Sequence, residues 1–231
     1  MYRIMRGKLY GVGVGPGDPM LMTLKAVEVI RESDIIAVPA RDKHDCVAYR
    51  IASRAVELEH RECLEIEMPM TRNREKLERY HEQGAEQLEK ALSAGKKIAF
   101  LTLGDPTVYS TYIYLHQRIA ARGYETEIIS GVPSFCAAAG SLQISLAEQS
   151  DEIHVIPAGY GVREAVGLPG TKVFMKAGSR MGQLKQALRD THSEVYMVEN
   201  CGMEQEKKYY GAKDMNEDAG YYSIVFVKDK K

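Results

Sequence analysis

Residues 101–115, LTLGDPTVYSTYIYL, constrain the fold more than any other stretch of the chain. An apolar run of strand length meets a helical repeat through Gly104-Asp105-Pro106, so the backbone must turn sharply where the run ends. A second turn of related character, GVGVGPGDP at 11–19, also follows a short apolar start and also opens a helical pattern. Strand, sharp turn and helix in succession predict an α/β sheet, and ligands bind such sheets at the carboxyl ends of their strands. Two glycine-rich turns ending in Asp-Pro therefore point to a ligand cleft.

The same alternation continues along the chain. Strands are predicted at 8–14, 34–39, near 64–68, at 97–103 and at 125–129. Asp18 is expected to cap the first helix with Pro19 at its first position, and Leu24, Val27 and Ile30 to form its inner face. Helices follow at 47–58 and 74–92, the latter with Leu77, Tyr80, Gly84, Leu88 and Ala91 inward. A further helix at 108–122 buries Tyr112, Leu115 and Ile119. Gly and Pro interrupt both periodicities in ISGVPS, which divides the chain into an N-terminal α/β domain, 1–129, and a C-terminal α/β domain, 134–231. The second domain opens with a helix at 135–142 capped by Ser134, then strands at 153–157, 172–176, 195–198 and 222–227 and a helix at 181–189. The lysine-rich C-terminus reads as a solvated tail.

Composition removes several classes of function. Lys and Arg number 31 against 32 Asp and Glu, a net charge of −1 that supplies no basic field for nucleic acid. The N-terminal MYRIMRGKLYG holds no signal-like apolar stretch, and every apolar run is strand-sized, so no membrane association is expected. The four cysteines (Cys46, Cys63, Cys136, Cys201) form no CxxC pair and the six histidines lack ligand spacing. Free thiols in a reducing cytoplasm and no protein-bound metal follow.

The glycine turns do not suit a dinucleotide. Read from Gly11, the GxGxxG pattern meets Pro16; read from Gly13, it meets Asp18. No GK[ST] ending occurs, and Asp18 and Asp105 would set carboxylates where a phosphate should sit. A phosphate-free cation satisfies that constraint, and S-adenosylmethionine is one. Glycines let the backbone approach it, and exposed carbonyls can accept from its amine and ribose. Asp105 either receives those groups or caps the turn before Pro106; spacing leaves both readings open.

GVGVGPGDPMLMTLKA, LGDPTVYSTYIYL and GVPSFCAAAGSLQISLAE occur in that order, followed by VFMKAG at 173–178, ENCG at 199–202 and YYSIVFV at 221–227. Together they resemble the tetrapyrrole (corrin/porphyrin) methyltransferases over essentially the whole chain. Within that family they are similar above all to the precorrin-2/cobalt-precorrin-2 C20-methyltransferases of cobalamin biosynthesis. The resemblance implies two unequal α/β domains with a non-Rossmann cofactor cleft between them, a homodimer, and methyl transfer from S-adenosylmethionine to C20 of the tetrapyrrole. Any cobalt would travel in the substrate.

Carried over by motif, Pro16 lines the cleft floor. Leu103, Gly104 and Asp105 hold the methionine part and ribose, mainly through backbone groups, with Val108 beside them. Ser134 and Phe135 face the cofactor, and Met175 meets the adenine edge through its backbone; Phe135 and Met175 also fit an ordinary core. Leu103 stands where some relatives carry glycine. Tyr109, Ser110 and Tyr112 are placed to orient the macrocycle or take its bridge proton, although no catalytic base is assigned. Arg41 and Lys43, with His44, are the candidates for the substrate's carboxylates, against a plain solvated loop. The competing readings are a family member with other regiochemistry or a protein substrate, a non-catalytic ligand carrier or sensor, and a dinucleotide enzyme.

Overall fold

The computed structural model describes residues 7–71, 73–157, 161–189 and 191–229. The chain forms two compact units, Met1–Pro133 and Ser134–Lys231. In the first, the strands are β1 (Lys8–Gly13), β2 (Ile35–Val38), β3 (Glu62–Glu65), β4 (Lys97–Thr102) and β5 (Glu125–Ile129). They make one sheet in the order β3-β2-β4-β1-β5, parallel at every pairing. The helices are α1 (Leu24–Glu32), α2 (Val47–Ser53), α3 (Arg74–Ser93) and α4 (Tyr112–Ala121).

Strand alternation sorts this sheet's side chains into two cores. Val12, Ile36, Val38, Ala99 and Leu101 meet α1 and α2 on one face. Leu9, Ile35, Ala37, Ile98 and Phe100 meet α3 and α4 on the other. A sheet covered on both faces needs near-continuous apolar runs, which is what 35–38 and 98–102 supply. Gly11 has no side chain because the fully buried Tyr112 ring occupies the space its Cβ would take.

The second unit begins with α5 (Ser134–Leu142), β6 (Ile153–Pro157), α6 (Val162–Val166) and β7 (Thr171–Met175). It continues through α7 (Met181–Leu188), β8 (Glu194–Glu199), β9 (Lys207–Tyr210) and β10 (Ser223–Lys228). Its sheet runs β6-β7-β10-β8-β9, with β6 and β7 parallel and the remaining pairs antiparallel. Phe174, Met181, Leu184, Met197 and Val225 form its core.

Several expectations need correction. Asp18 does cap, its Oδ1 accepting from Met20 N at 2.9 Å, but what it caps is a single 3-10 turn over Pro19–Leu21. Thr23 then starts α1 as a new cap, accepting from Ala26 N at 3.1 Å. Leu24, at the restart, lies 89% exposed, while Ile30 faces inward as expected with Ala26 and Val29, and Val27 packs partly against the same core. The helix expected from 108 begins only at Tyr112, because 105–111 is spent on turns. α2 ends at Ser53, short of 58, and β3 lies two residues earlier than 64. Ser134 is the first residue of α5 rather than a cap preceding it. β9 is an edge strand with mostly exposed side chains and carries no apolar run to announce it. The expected solvated tail is anchored as far as 229. Asp229 accepts from Gly170 N at 2.9 Å and from the fully buried Lys172 at 2.5 Å. Residues 230–231 lie outside the described residues.

Candidate functional site

The chain leaves β1 toward β2 on one side and leaves β4 toward β5 on the other, although β1 and β4 are neighbours. Their carboxyl ends are therefore the sheet's switch point, where open parallel sheets leave a crevice for ligands. Both glycine turns lie there. Val14 N donates to Thr102 O at 2.9 Å, Gly104 N to Gly15 O at 2.8 Å, and Gly15 N to Gly104 O at 3.3 Å. Gly15 and Gly104 both take left-handed φ, +75° and +70°, which glycine adopts without a Cβ penalty.

A third turn joins them, beyond β5. A Cβ on Gly13 would lie 2.6 Å from both Gly104 O and Gly131 N, and one on Gly131 would collide with the Gly104 carbonyl oxygen. The three strand ends thus pack main chain against main chain. ISGVPS interrupts both periodicities in the sequence and opens a family motif; its Gly131, which follows a strand end, is a member of this cluster.

The structure places the predicted residues of this unit as follows. Pro16 is buried beside the bridged Gly15. The Leu103 side chain packs against the core on the α1–α2 face, leaving its main chain for the turn. Val108 is half-buried, and its N–H closes a turn onto Asp105 O at 3.2 Å. The Asp105 side chain, 7% exposed in residue terms, accepts from Gly131 N at 3.0 Å through Oδ2. Its Oδ1 accepts from Thr107 N at 2.8 Å and Thr107 Oγ1 at 2.5 Å. Thr107 was missed, since nothing in its spacing distinguishes it.

Tyr109 is 45% exposed and holds φ +49°, an uncommon conformation for a bulky residue. Ser110 Oγ accepts from Tyr112 N at 3.2 Å and lies 3.4 Å from Thr102 Oγ1, so it fastens the start of α4 to the end of β4. Tyr112 is a core residue. Burial pushes its phenol well above the usual range, and its hydroxyl meets His116 Nδ1 at 3.2 Å. Burial also holds the His116 imidazole below its ordinary value. Tyr112 is thereby unsuited to take the bridge proton.

Arg41 and Lys43 follow β2 at the same carboxyl edge of the sheet. The Arg41 guanidinium pairs with Glu67 at 2.5 Å, also interacts with Tyr80, and is largely open to solvent. Lys43 N donates to Glu65 Oε1 at 2.8 Å, and its Nζ lies 5.4 Å above the Tyr49 ring. His44 N closes a turn onto Asp42 Oδ1 at 2.8 Å.

In the second unit, Ser134 and Phe135 form the first turn of α5, both half-buried. Met175 ends β7, buried, with Pro157 and Ile224 as its strand neighbours. Lys176 then turns with φ +57°.

Other chemistry finds little support. Burial pushes the Cys63 thiol to about 11 and the Cys201 thiol to about 12, so neither is a thiolate nucleophile near neutrality. Among the described residues, no three His, Cys, Asp or Glu side chains gather to hold a metal ion. No helix among them is long and apolar enough to cross a membrane.

Fold and site together define an α/β protein whose glycine turns gather at the switch point of a parallel sheet, outside the dinucleotide pattern. The chain belongs to the tetrapyrrole (corrin/porphyrin) methylases, whose family model matches residues 8–212. It is 34% identical over 225 residues to a probable cobalt-precorrin-2 C(20)-methyltransferase of Methanocaldococcus jannaschii, covering 96% of each chain. It is 30% identical to the cobalt-precorrin-2 C(20)-methyltransferase of Salmonella typhimurium, covering 96% of this chain and 97% of that one. Among solved structures, a uroporphyrin-III-C-methyltransferase from Thermus thermophilus shares the fold with a TM-score of 0.72 at 22% identity, covering 97% and 93% of the two chains.

Proposed function

We propose that this protein transfers a methyl group from S-adenosylmethionine to C20 of precorrin-2 or its cobalt complex, a step in cobalamin biosynthesis. The observation that carries the reading is the Gly15–Gly104 bridge at the switch point, beside Asp105 and with no template for a phosphate. The full-length similarity to cobalt-precorrin-2 C(20)-methyltransferases supports the choice of acceptor carbon.

The residues present fit such a donor. Turns packed through bare glycine backbones bring main-chain N–H and C=O groups close to a ligand, and amine and ribose hydroxyls can bond to those groups. S-adenosylmethionine supplies an electrophilic methyl group on a sulfonium, which leaves as a neutral thioether. The main chain of Leu103, Gly104 and Asp105 would hold the methionine part and ribose, with Pro16 and Val108 beside them. Ser134, Phe135 and the Met175 main chain are proposed as further contacts.

The protein's share of the chemistry is alignment and exclusion of water, effects that can be worth on the order of 7–11 kcal/mol in well-oriented reactions. C20 of a reduced tetrapyrrole is enamine-like and already nucleophilic, so no strong base is required, and the bridge proton lost after methylation would pass to water or a polar side chain. The exposed Tyr109 is the side chain of the turn that would face the macrocycle, while Ser110 keeps that turn on α4. Arg41 would engage a substrate carboxylate by exchanging Glu67 for it, with Lys43 nearby. A cytoplasmic homodimer is the working form of this reading.

The test is incubation with methyl-labelled S-adenosylmethionine and, separately, precorrin-2 and its cobalt complex, followed by NMR of the product. Label at C20 is expected. Label at another carbon would reassign the regiochemistry, and binding without transfer would make the protein a ligand carrier.

A further inference from the structure

We infer that the Asp105 carboxylate is a positioning group, a latch that holds the cofactor turn in place without itself touching the cofactor. The inference rests on the methyl-donor reading of that turn. Both carboxylate oxygens are already engaged inside the protein. Oδ2 takes the Gly131 N–H at 3.0 Å; Oδ1 takes the Thr107 N–H at 2.8 Å and the Thr107 hydroxyl at 2.5 Å. At 7% exposure the residue offers a ligand almost no surface.

What the latch joins explains its value. Gly131 follows β5, whereas Asp105 follows β4, so one side chain closes a gap between turns 26 residues apart in sequence. On its other side, Gly104 is bonded in both directions to Gly15 after β1. Gly13, Gly104 and Gly131 already touch through backbone atoms. Such packing fixes how close the turns come, but van der Waals contact is non-directional and does not fix their rotation. A carboxylate accepting bonds from opposite sides does, because each charge-assisted bond is directional and stronger than a neutral one. The Gly104 N–H of the Leu103–Gly104 peptide is taken by Gly15 O, so a plane held in that rotation presents the Leu103 carbonyl at a constant angle. The second acidic turn residue is different: among the described residues the Asp18 side chain bonds only within its own turn, to Met20 N.

Two substitutions separate positioning from direct contact, with S-adenosylhomocysteine as the calorimetric probe. That probe carries no sulfonium charge, so the attraction between the carboxylate and the sulfonium does not enter. In the ligand-free protein, Asp105→Ala is expected to speed hydrogen exchange at the Gly131 amide by about tenfold or more, as loss of a charged acceptor implies. It should also weaken probe binding by a similar factor. Asp105→Asn keeps one acceptor oxygen and should fall between the two on both readouts, which keeps the test usable if the alanine variant folds poorly. Weakened binding with Gly131 exchange unchanged would overturn the latch in favour of a direct contact. Faster exchange with binding unchanged would overturn the positioning role. Failure of the unsubstituted protein to bind the probe would instead sink the methyl-donor reading, and the positioning role with it, whatever Gly131 does.

Discussion

The two units support their candidate ligand-facing elements by different means. In the first, β1, β4 and β5 end in turns stacked glycine on glycine, with a single carboxylate reaching across. In the second, side chains do the fastening. Glu206 accepts from Gly202 N at 2.6 Å and from Ser141 Oγ at 2.5 Å, and Lys208 Nζ donates to Ser141 O at 2.7 Å, so α5 is tied to the ENCG turn. Within that unit Glu199 also accepts from Asn216 Nδ2 at 3.2 Å and from the Tyr209 hydroxyl at 2.5 Å. A parallel sheet brings three strand ends to one edge, so backbones can meet there directly. The mixed sheet of the second unit sends neighbouring strands in opposite directions at every pairing but β6–β7, and longer side chains bridge what the backbones leave apart.

The contrast can be broken most severely at Gly131. Gly131→Ala sets a methyl group against the Gly104 carbonyl and should cost about 3 kcal/mol or more in urea unfolding, the upper range for overpacking. A loss below about 1 kcal/mol would mean that the turns are looser than the geometry shows. Glu206→Ala should cost about 1–2 kcal/mol by leaving the Gly202 and Ser141 donors unpaired, with faster exchange at the Gly202 amide as its signature. Gly140→Ala reverses the sign. This glycine lies in α5 with nothing within 4 Å of a Cβ, so alanine should stabilise by about 0.5–1 kcal/mol, read as a higher unfolding midpoint.

Acid is the mildest probe. Burial pushes Glu206 up, but the Gly202 N–H, the Ser141 hydroxyl and Lys208 outweigh it and hold the carboxyl below the ordinary value. Lys172 does the same to Asp229, aided by the Gly170 N–H and opposed by burial. A carboxylate with a lowered folded-state value stabilises fully above the unfolded value, near pH 4, and loses that contribution as pH falls through the folded value. Stability of the second unit should therefore hold from neutrality to about pH 5 and decline below pH 4, and Glu206→Gln should flatten that decline. An unchanged acid limb in the glutamine variant would count against the Glu206 fastening.

The sequence displayed some of this plainly. β5 and β6 run over the very residues read from it, 125–129 and 153–157, because each is a short stretch rich in β-branched residues that begins two residues after Gly123 or Asp151. Tyr112, Leu115 and Ile119 face the core as their helical spacing required. α1 was misjudged because Asp18 and Thr23 are both good caps, and local propensity does not say which of two caps starts the long helix. β9 was missed because an exposed edge strand carries no apolar signature. At the candidate site the glycines of the first two turns were visible, but Gly131 and Thr107 were not. Their roles exist only through contacts with residues distant or unremarkable in sequence.

The order of residues alone determined that this chain builds strand–turn–helix units, that its glycine turns depart from the dinucleotide and P-loop patterns, and which family motifs it carries. These are local properties, set by backbone sterics, periodicity and the charge of neighbouring groups. Only the tertiary structure decided that β1 and β4 lie side by side and that Asp105 spends its charge on Gly131 and Thr107. Strand order and hydrogen-bond partners across 26 residues depend on which packing of whole elements buries the most surface with every polar group satisfied, and no local pattern encodes that choice.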